Sequence, residues 1–389
     1  MNLSIRFILS TVIKHTVSLP NMVFFKAFRE TSMHLTSLHS RRFRGLADLV
    51  FEPGTGVNII YGANAQGKTS VLEAALYAAT TRSHRTTVDA ELAQHGGHEF
   101  HITATAKAGG CPVSIEAHWW KGAKRFKVNG LAQPRLSDIL GRICVVFFSP
   151  EDIALVKGAA SSRRLFLDME LSQLHPPYLR ALQQYRQALR QRNELLRRQQ
   201  CDPDMLAVWE TQLAEHGRLL MTERASAVRE LSAIASALYA QLIENEPLTL
   251  DYQPDIGDAD GIAEALQKAR ASDIQRKNTG RGPHRDDVDI QISGKSARSY
   301  GSQGQQKSAA LILKLAEVEL MRQRMGEYPV VLLDEAPAEL DAKRAKRLLT
   351  AVPEDAQAII TTAQPIELLP LSREKATVFH IERGRLEKQ

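Results

Sequence analysis

The sequence predicts an α/β fold in two halves, with a helical lobe inserted between them. Three observations carry that reading. Short apolar or alternating runs, the pattern of strands, fill the chain to about Leu165 and return from about Gly280. Within the first set, a segment with helical spacing follows directly on an apolar strand. The stretch between the two sets carries apolar residues at steps of three and four. At 389 residues, 43% hydrophobic and 24% charged, the chain is long enough for two or three lobes and a sizeable core.

The elements follow in order. Met33 to Asn58 reads as strands, MHLTSLHSRRF and then LADLVFEPGTGVNIIYG, turning at Pro53 to Gly56. Val57 to Tyr61 is a short apolar run that stops at Gly62, and from Lys68 the residues Val71, Leu72, Ala75, Leu76 and Ala79 share one helical face. Strand patterns recur at His98 to Lys107, Val113 to Trp119, Arg125 to Val128 and Val145 to Phe148. From Leu165 to Ala271 the period is helical. Leu182, Tyr185, Leu189 and Leu196 form one face, interrupted by Arg192, and Cys201-Asp202-Pro203 breaks the helix. A second run carries Leu206, Trp209, Leu213 and Leu220, then Leu231, Ile234, Leu238 and Leu242. Helices of this length reach about 40–60 Å, a short arm and not a long coiled coil. DDVDIQI, a helix from Ser302 to Met325, the apolar strand Pro329 to Asp334 and strands at Ala356 to Thr362 and Thr377 to Arg383 complete the chain.

Composition removes several classes. No window supplies the roughly 20 apolar residues of a membrane span. Cys111, Cys144 and Cys201 lie far apart, with no CxxC pair, so a disulfide framework and a zinc site are both disfavoured. A reducing, cytoplasmic setting fits that cysteine usage. The net charge of +6 suggests nucleic acid, but Arg6, Lys14, Lys26 and Arg29 against Glu30 place half of it in residues 1–32. Charge alone therefore does not establish DNA binding. The strand pattern directly after Met33 points to translation starting there, with residues 1–32 non-native; a weak targeting segment or a disordered extension are the alternatives.

The chemistry concentrates in three places. Gly62-Ala63-Asn64-Ala65-Gln66-Gly67-Lys68-Thr69 fits G-x-x-x-x-G-K-[ST], after an apolar strand and before a helix. The glycines let backbone N–H groups turn toward phosphate oxygens, Lys68 adds positive charge, and the Thr69 hydroxyl can ligate Mg²⁺. Asp334 ends a buried strand and can hold that metal, while Glu335 can act as general base toward water. Ser302-Gln303-Gly304-Gln305-Gln306 opens a helix and makes a second anion site. One chain cannot easily bring both anion sites to one nucleotide, whereas two chains arranged head to tail can. That suggests an ATP-dependent homodimer.

Together the phosphate loop, SQGQQ and LLDEAPAELD resemble the ABC-type ATPase heads of the structural-maintenance-of-chromosomes group, and more closely the RecF family of bacterial recombination mediators. Ser149 to Gly158 running into Arg163-Arg164-Leu165-Phe166-Leu167-Asp168, and Gly282-Pro283-His284-Arg285-Asp286-Asp287, point the same way. The resemblance spans Met33 to about Arg383. It implies an ATPase head split into residues 33–165 and 280–389, a helical lobe at 166–279, slow, DNA-stimulated ATP hydrolysis and DNA binding. It also implies work with RecO and RecR to load RecA at single-stranded gaps. Residue by residue, Lys68 and Thr69 take the Walker A roles and Asp334 and Glu335 those of Walker B. Ser302, Gly304 and Gln305 match the signature that contacts the partner's γ-phosphate, and Asp341 matches the D-loop at the dimer seam. Arg44 is a candidate nucleotide contact. Thr361-Thr362-Ala363 stands where transporter ATPases carry a switch histidine, which leaves γ-phosphate sensing unassigned.

Other features divide between two readings. The arginines Arg180, Arg186, Arg190, Arg192, Arg197 and Arg198 could neutralise phosphates of gapped, single- or double-stranded DNA, with Arg186, Arg190 and Arg197 the leading candidates, or form a solvated helix face. Lys121, Lys124, Arg125 and Lys127 beside Trp119-Trp120 could meet DNA or protect a strand edge. Arg163 and Arg164 read as structural or interfacial, and His284 as a packing or hydrogen-bonding residue. A membrane-coupled transport ATPase is disfavoured by the helical lobe and the lack of a membrane segment. A vestigial site is disfavoured by the intact Lys68, Thr69, Asp334 and Glu335.

Overall fold

The computed structural model describes residues 32–198, 202–242, 246–335, 353–363 and 376–389. Residues 1–32, apart from Ser32, and Asp341 of the D-loop expectation therefore lie outside the described residues. Three sheets organise the rest. The first is antiparallel, in the order β2-β1-β4-β5-β6-β7. Its strands are β1 (His34–Phe43), β2 (Leu46–Phe51), β4 (Glu99–Ala108), β5 (Cys111–Trp120), β6 (Ala123–Val128) and β7 (Leu131–Gln133). Alternation explains it: on β5, Val113, Ile115, Ala117 and Trp119 are buried and the residues between them are not.

The second sheet runs β15-β14-β3-β13-β12-β8. It consists of β3 (Val57–Tyr61), β8 (Val145–Phe148), β12 (Val330–Asp334), β13 (Ala358–Thr362), β14 (Ala376–Glu382) and β15 (Arg385–Lys388), and only β15 is antiparallel to its neighbour. β12 and β13 are buried at every residue, as a sheet covered on both faces requires. Helix α1 (Lys68–Thr80) lies between the two sheets, touching β1, β4 and β5 on one side and β8, β12 and β13 on the other. All but one of its residues are buried, the polar Ser70, Glu73 and Thr80 included, so burial extends beyond the apolar face read from sequence.

The inserted stretch holds α2 (Ala160–Leu174), α3 (Pro176–Leu196), the 40-residue α4 (Pro203–Leu242) and α5 (Ile262–Arg276). At 1.5 Å per residue α4 is about 60 Å long. The stretch is not helical throughout, however. β9 (Leu248–Gln253) pairs antiparallel with β10 (Asp287–Ile292), and β11 (Lys295–Ser296) extends this third sheet. Leu248 and Leu250 are buried while Thr249 and Asp251 are not, a period of two too short to stand out among helices. α6 (Gln303–Met325) then runs to β12.

Buried charges tie this stretch together. Arg192, which interrupts the apolar face of α3, is fully buried and donates to Asp273 (2.7 Å), Glu210 (3.0 Å) and Thr279 (2.8 Å). It is thus a bolt between α3, α4 and α5 and does not face solvent. Arg163 forms a bidentate pair with Asp287 (2.6 and 2.9 Å), and Arg164 donates to the Asp286 carbonyl. The two stretches that carried much of the family resemblance therefore meet in space.

His284 accepts its neighbours as a neutral ring. Nε2–H donates to the Thr279 carbonyl at 3.1 Å, which leaves Nδ1 to accept from the Tyr185 hydroxyl at 2.7 Å. Burial pushes its pKa down from 6.5 to about 4. Folding favours the neutral form, so this stability is present above pH 6.5 and is lost as pH falls through 4. His284→Gln, which can keep both bonds without titrating, is expected to lose less stability on acidification. The difference from the parent, read from urea midpoints, should amount to about 2 kcal/mol between pH 7 and pH 5.

Candidate nucleotide site

The phosphate loop leaves β3 at Gly62 and enters α1 at Lys68. Its backbone needs both glycines. A Cβ at Gly62 would lie 2.4 Å from the Ile381 carbonyl oxygen, and Gly67 caps the helix with φ +106°. Gln66 fastens the loop from outside: its Oε1 accepts from the Arg383 N–H (2.7 Å) and its carbonyl from the Gly384 N–H (3.0 Å). The first turn of a helix leaves N–H groups without intrahelical partners, and here no acidic residue occupies that turn. Both properties suit an anion.

Lys68 is 3% exposed, and its ammonium donates to the carbonyls of Gly62 (2.8 Å) and Ala63 (3.0 Å) and lies 3.5 Å from Glu335 Oε1. Among the described residues this buried cation meets neutral oxygens, Asn64 Oδ1 at 3.5 Å included, and a single carboxylate, which leaves capacity for a further anion.

Opposite it, Thr69 Oγ1 donates to Asp334 Oδ1 at 3.0 Å. β13 separates β3 from β12, and its Thr361 reaches the same acid, donating to Asp334 Oδ1 at 2.7 Å. The Thr361 oxygen also accepts the Glu335 N–H at 3.1 Å. Thr361, given no role from sequence, thus ties down the Asp334 side chain and the Glu335 backbone. Glu335 sits at φ +48°, a left-handed conformation costing about 1–2 kcal/mol for a residue with a Cβ. Such strain clusters at functional positions.

Burial raises the Asp334 carboxyl above the usual range, against the two hydroxyls and nearby His84, which lower it. A buried carboxylate beside a threonine hydroxyl, short of positive charge, fits a hard divalent cation such as Mg²⁺. His84, packed at a tilt against Phe147 with ring centroids 4.2 Å apart, is a second site neighbour that sequence reasoning passed over.

Arg44 does not reach freely into this site. It pairs with fully buried Glu73 of α1 through Nε (3.0 Å) and Nη2 (2.9 Å). It still lines an open cleft of about 570 Å³ together with Ser70, the residue after the loop, Gln94 and His95.

The SQGQQ segment stands as a helix start. Ser302 caps α6, accepting from the Gln305 N–H (3.2 Å), while Gln305 Oε1 accepts from the Ser302 N–H (2.8 Å). Ser302 is exposed, Gly304 and Gln305 are half-buried, and Gln305 Nε2 donates to Glu246 (3.0 and 3.1 Å). The arginine candidates separate: Arg190 and Arg197 are exposed, whereas Arg186 pairs with Asp168 at 2.8 Å. Near Trp120, Lys124 pairs with Asp89 (2.6 Å) and Lys127 with Glu116 (3.3 Å).

Residues 37–132 match the family described as an AAA domain. The DNA replication and repair protein RecF of Symbiobacterium thermophilum is 41% identical over 350 residues, 87% of this chain and 93% of that protein. RecF of Listeria monocytogenes is 37% identical over 370 residues, 92% of this chain and 100% of its own. A solved structure of the recombination mediator protein RecF-ATP in the RecFOR pathway has a TM-score of 0.87 at 32% identity, covering 94% of this chain and 100% of that one. The Smc head domain from Pyrococcus furiosus has a TM-score of 0.57 at 16% identity, covering 92% and 96%, a likeness of fold alone. The expected α/β architecture of an ABC-type ATPase head is borne out, and with relatives this similar over nearly its whole length the chain belongs to the RecF family of DNA replication and repair proteins.

Proposed function

We propose that this chain is an ATP-switched DNA-binding protein of recombinational repair, acting in the cytoplasm. The observation that carries the reading is the convergence of Lys68, Thr69, Asp334, Glu335 and Thr361 at the phosphate loop. Bound Mg²⁺ and ATP supply the phosphoanhydride and the charge that polarises it. Loop residues Gly62, Ala63, Asn64, Ala65, Gln66 and Gly67 cradle the phosphates, Lys68 neutralises them, and Thr69 and Asp334 hold the metal. The cleft beside Arg44 takes the nucleoside. Glu335 orients and deprotonates water. Ser302, Gly304 and Gln305 of a second copy close the site in trans, with Asp341 at the seam, so ATP joins two heads and hydrolysis parts them. DNA stimulates slow turnover and meets exposed arginines such as Arg190 and Arg197; Arg186 would first have to leave Asp168. With RecO and RecR the dimer assists RecA loading at single-stranded gaps.

Light scattering with Mg²⁺ and ATP, with and without gapped DNA, tests the switch. The expected result is an ATP-dependent shift from monomer to dimer that DNA enhances. A monomer under every condition would remove the switch and leave only a nucleotide-binding head.

Thr361 offers a finer test. Thr361→Val keeps the shape of the strand but frees Asp334 and the Glu335 N–H. The Mg²⁺ concentration needed for half-maximal ATP turnover should rise roughly tenfold, the scale of losing a group that orients a metal ligand. An unchanged Mg²⁺ dependence would remove Thr361 from the site.

A further inference from the structure

We propose a transition-metal site of the zinc class on the outer face of the antiparallel sheet, formed by Glu99, His101 and His118. The strand register brings these residues together. β4 and β5 pair with His101 opposite His118 and Glu99 opposite Trp120. Their neighbours Phe100, Ile102, Ala117 and Trp119 are buried in the core, so the period of two turns all three candidates outward. The phosphate loop lies elsewhere, at the start of the helix that packs on the other face of this sheet.

One ligand atom from each residue lies within 4.8 Å of the others. The two imidazoles stack with centroids 3.8 Å apart and planes 15° from parallel. His118 Nε2 is screened from solvent, makes no hydrogen bond among the described residues, and lies 4.0 Å from Glu99 Oε2. A ring nitrogen held dry and unpaired beside a carboxylate is a cost that a cation between them would remove. Glu99 is already oriented for this. Its Oε1 is engaged by Arg42, which leaves Oε2 toward His118, the arrangement by which an outer partner fixes a metal-binding carboxylate.

The donor set selects the ion. Two imidazoles and one carboxylate without a thiolate suit Zn²⁺ and its neighbours Co²⁺ and Ni²⁺ rather than Mg²⁺, with a fourth position open to water. Bonds of about 2.0–2.2 Å require the ligand atoms to draw in toward roughly 3.4 Å, which side-chain rotation at a sheet surface allows. Arg41 and Arg42 lie close enough to act on His101 electrostatically. The same two arginines oppose a dication, so the site is one of moderate affinity. A cation there would clip β4 to β5.

The test is calorimetric titration of the full chain with Zn²⁺ in excess Mg²⁺, with Co²⁺ absorption as an independent readout. The expected result is one Zn²⁺ per chain, with a rise in Tm. His101→Gln and His118→Gln, at outward positions, should each weaken binding at least ~10-fold and abolish the Co²⁺ ligand-field bands, with Tm in the absence of metal unchanged. Zn²⁺ binding of undiminished affinity in both variants would assign the ion to other histidines and overturn the proposal, as would the absence of binding by the parent chain.

Discussion

Glu335→Gln is expected to slow ATP turnover by about 10²–10⁴-fold while leaving the ATP-bound dimer assembled. The two effects follow from one substitution because the carboxylate has two surroundings. Its backbone is fixed by the N–H bond to Thr361 and by the left-handed turn at φ +48°, neither of which needs the acid. Its side chain lies 3.5 Å from the Lys68 ammonium and is over one-third exposed, open to the space where water would attack. An amide of the same shape keeps the turn, still accepts from Lys68, and cannot take a proton. Binding therefore survives and chemistry does not. If hydrolysis is what parts the heads, the dimer lifetime lengthens in proportion to the fall in turnover. Phosphate release and light scattering on the same sample read both. A variant that hydrolyses at the parent rate would remove Glu335 as base, and one that stops hydrolysing yet dissociates as before would uncouple hydrolysis from release. Lys68→Arg makes the opposite contrast. The larger guanidinium has no room where Lys68 is 3% exposed between the Gly62 and Ala63 carbonyls, so ATP binding and dimerisation should fail together.

Why the nucleotide site was legible in sequence, and other parts were not, is a matter of range. The phosphate loop is local: a strand, two glycines, a lysine and a threonine within eight residues, each required by backbone geometry or charge. Asp334 was legible because an apolar strand ending in acid has few other uses. Ser302 was legible as a helix start, and its capping box with Gln305 is again local. Thr361 was not, since its importance comes from β13 lying between the strands of Thr69 and Asp334, a sheet order no spacing reveals. Arg192 shows the same limit from the other side. A lone arginine on an apolar face reads as an interruption until Glu210 of α4 and Asp273 and Thr279, at the end of α5 and just beyond it, arrive to surround it. β9 escaped because six residues with alternating burial carry little signal between two long helices.

Arg224 was the most consequential residue left unread, and Arg224→Met is expected to destabilise the fold by about 3–5 kcal/mol. It lies on α4, 2% exposed, and donates to Asp168 (2.8 Å), Asp286 (3.2 Å), the Tyr178 hydroxyl (3.0 Å) and the Pro283 carbonyl (2.7 Å). Methionine fills much of the volume but leaves two carboxylates, 5% and 0% exposed, without their shared cation. The pH dependence separates this cause from lost packing. Burial already raises the Asp286 carboxyl above its usual range even with Arg224 present. Without the arginine the Asp286 carboxyl rises further, so the variant folds best with it protonated. That stability is fully present below the unfolded carboxylate pKa and is lost as pH rises through the folded one. The gap between variant and parent should therefore widen from pH 4.5 to pH 7, whereas a packing defect would be the same at both. Adding Asp168→Asn and Asp286→Asn to Arg224→Met should recover part of the loss at pH 7, a non-additivity expected only if the three share one network. Arg281→Met, at an exposed pair with Asp255, serves as the control and should cost no more than about 1 kcal/mol. The network matters to the site as well as to the fold. Asp286 and Asp287 lead into β10, and the chain from β10 runs through β11 to Ser302, so the charges that bind α2 and α4 to this strand also bear on where α6 begins.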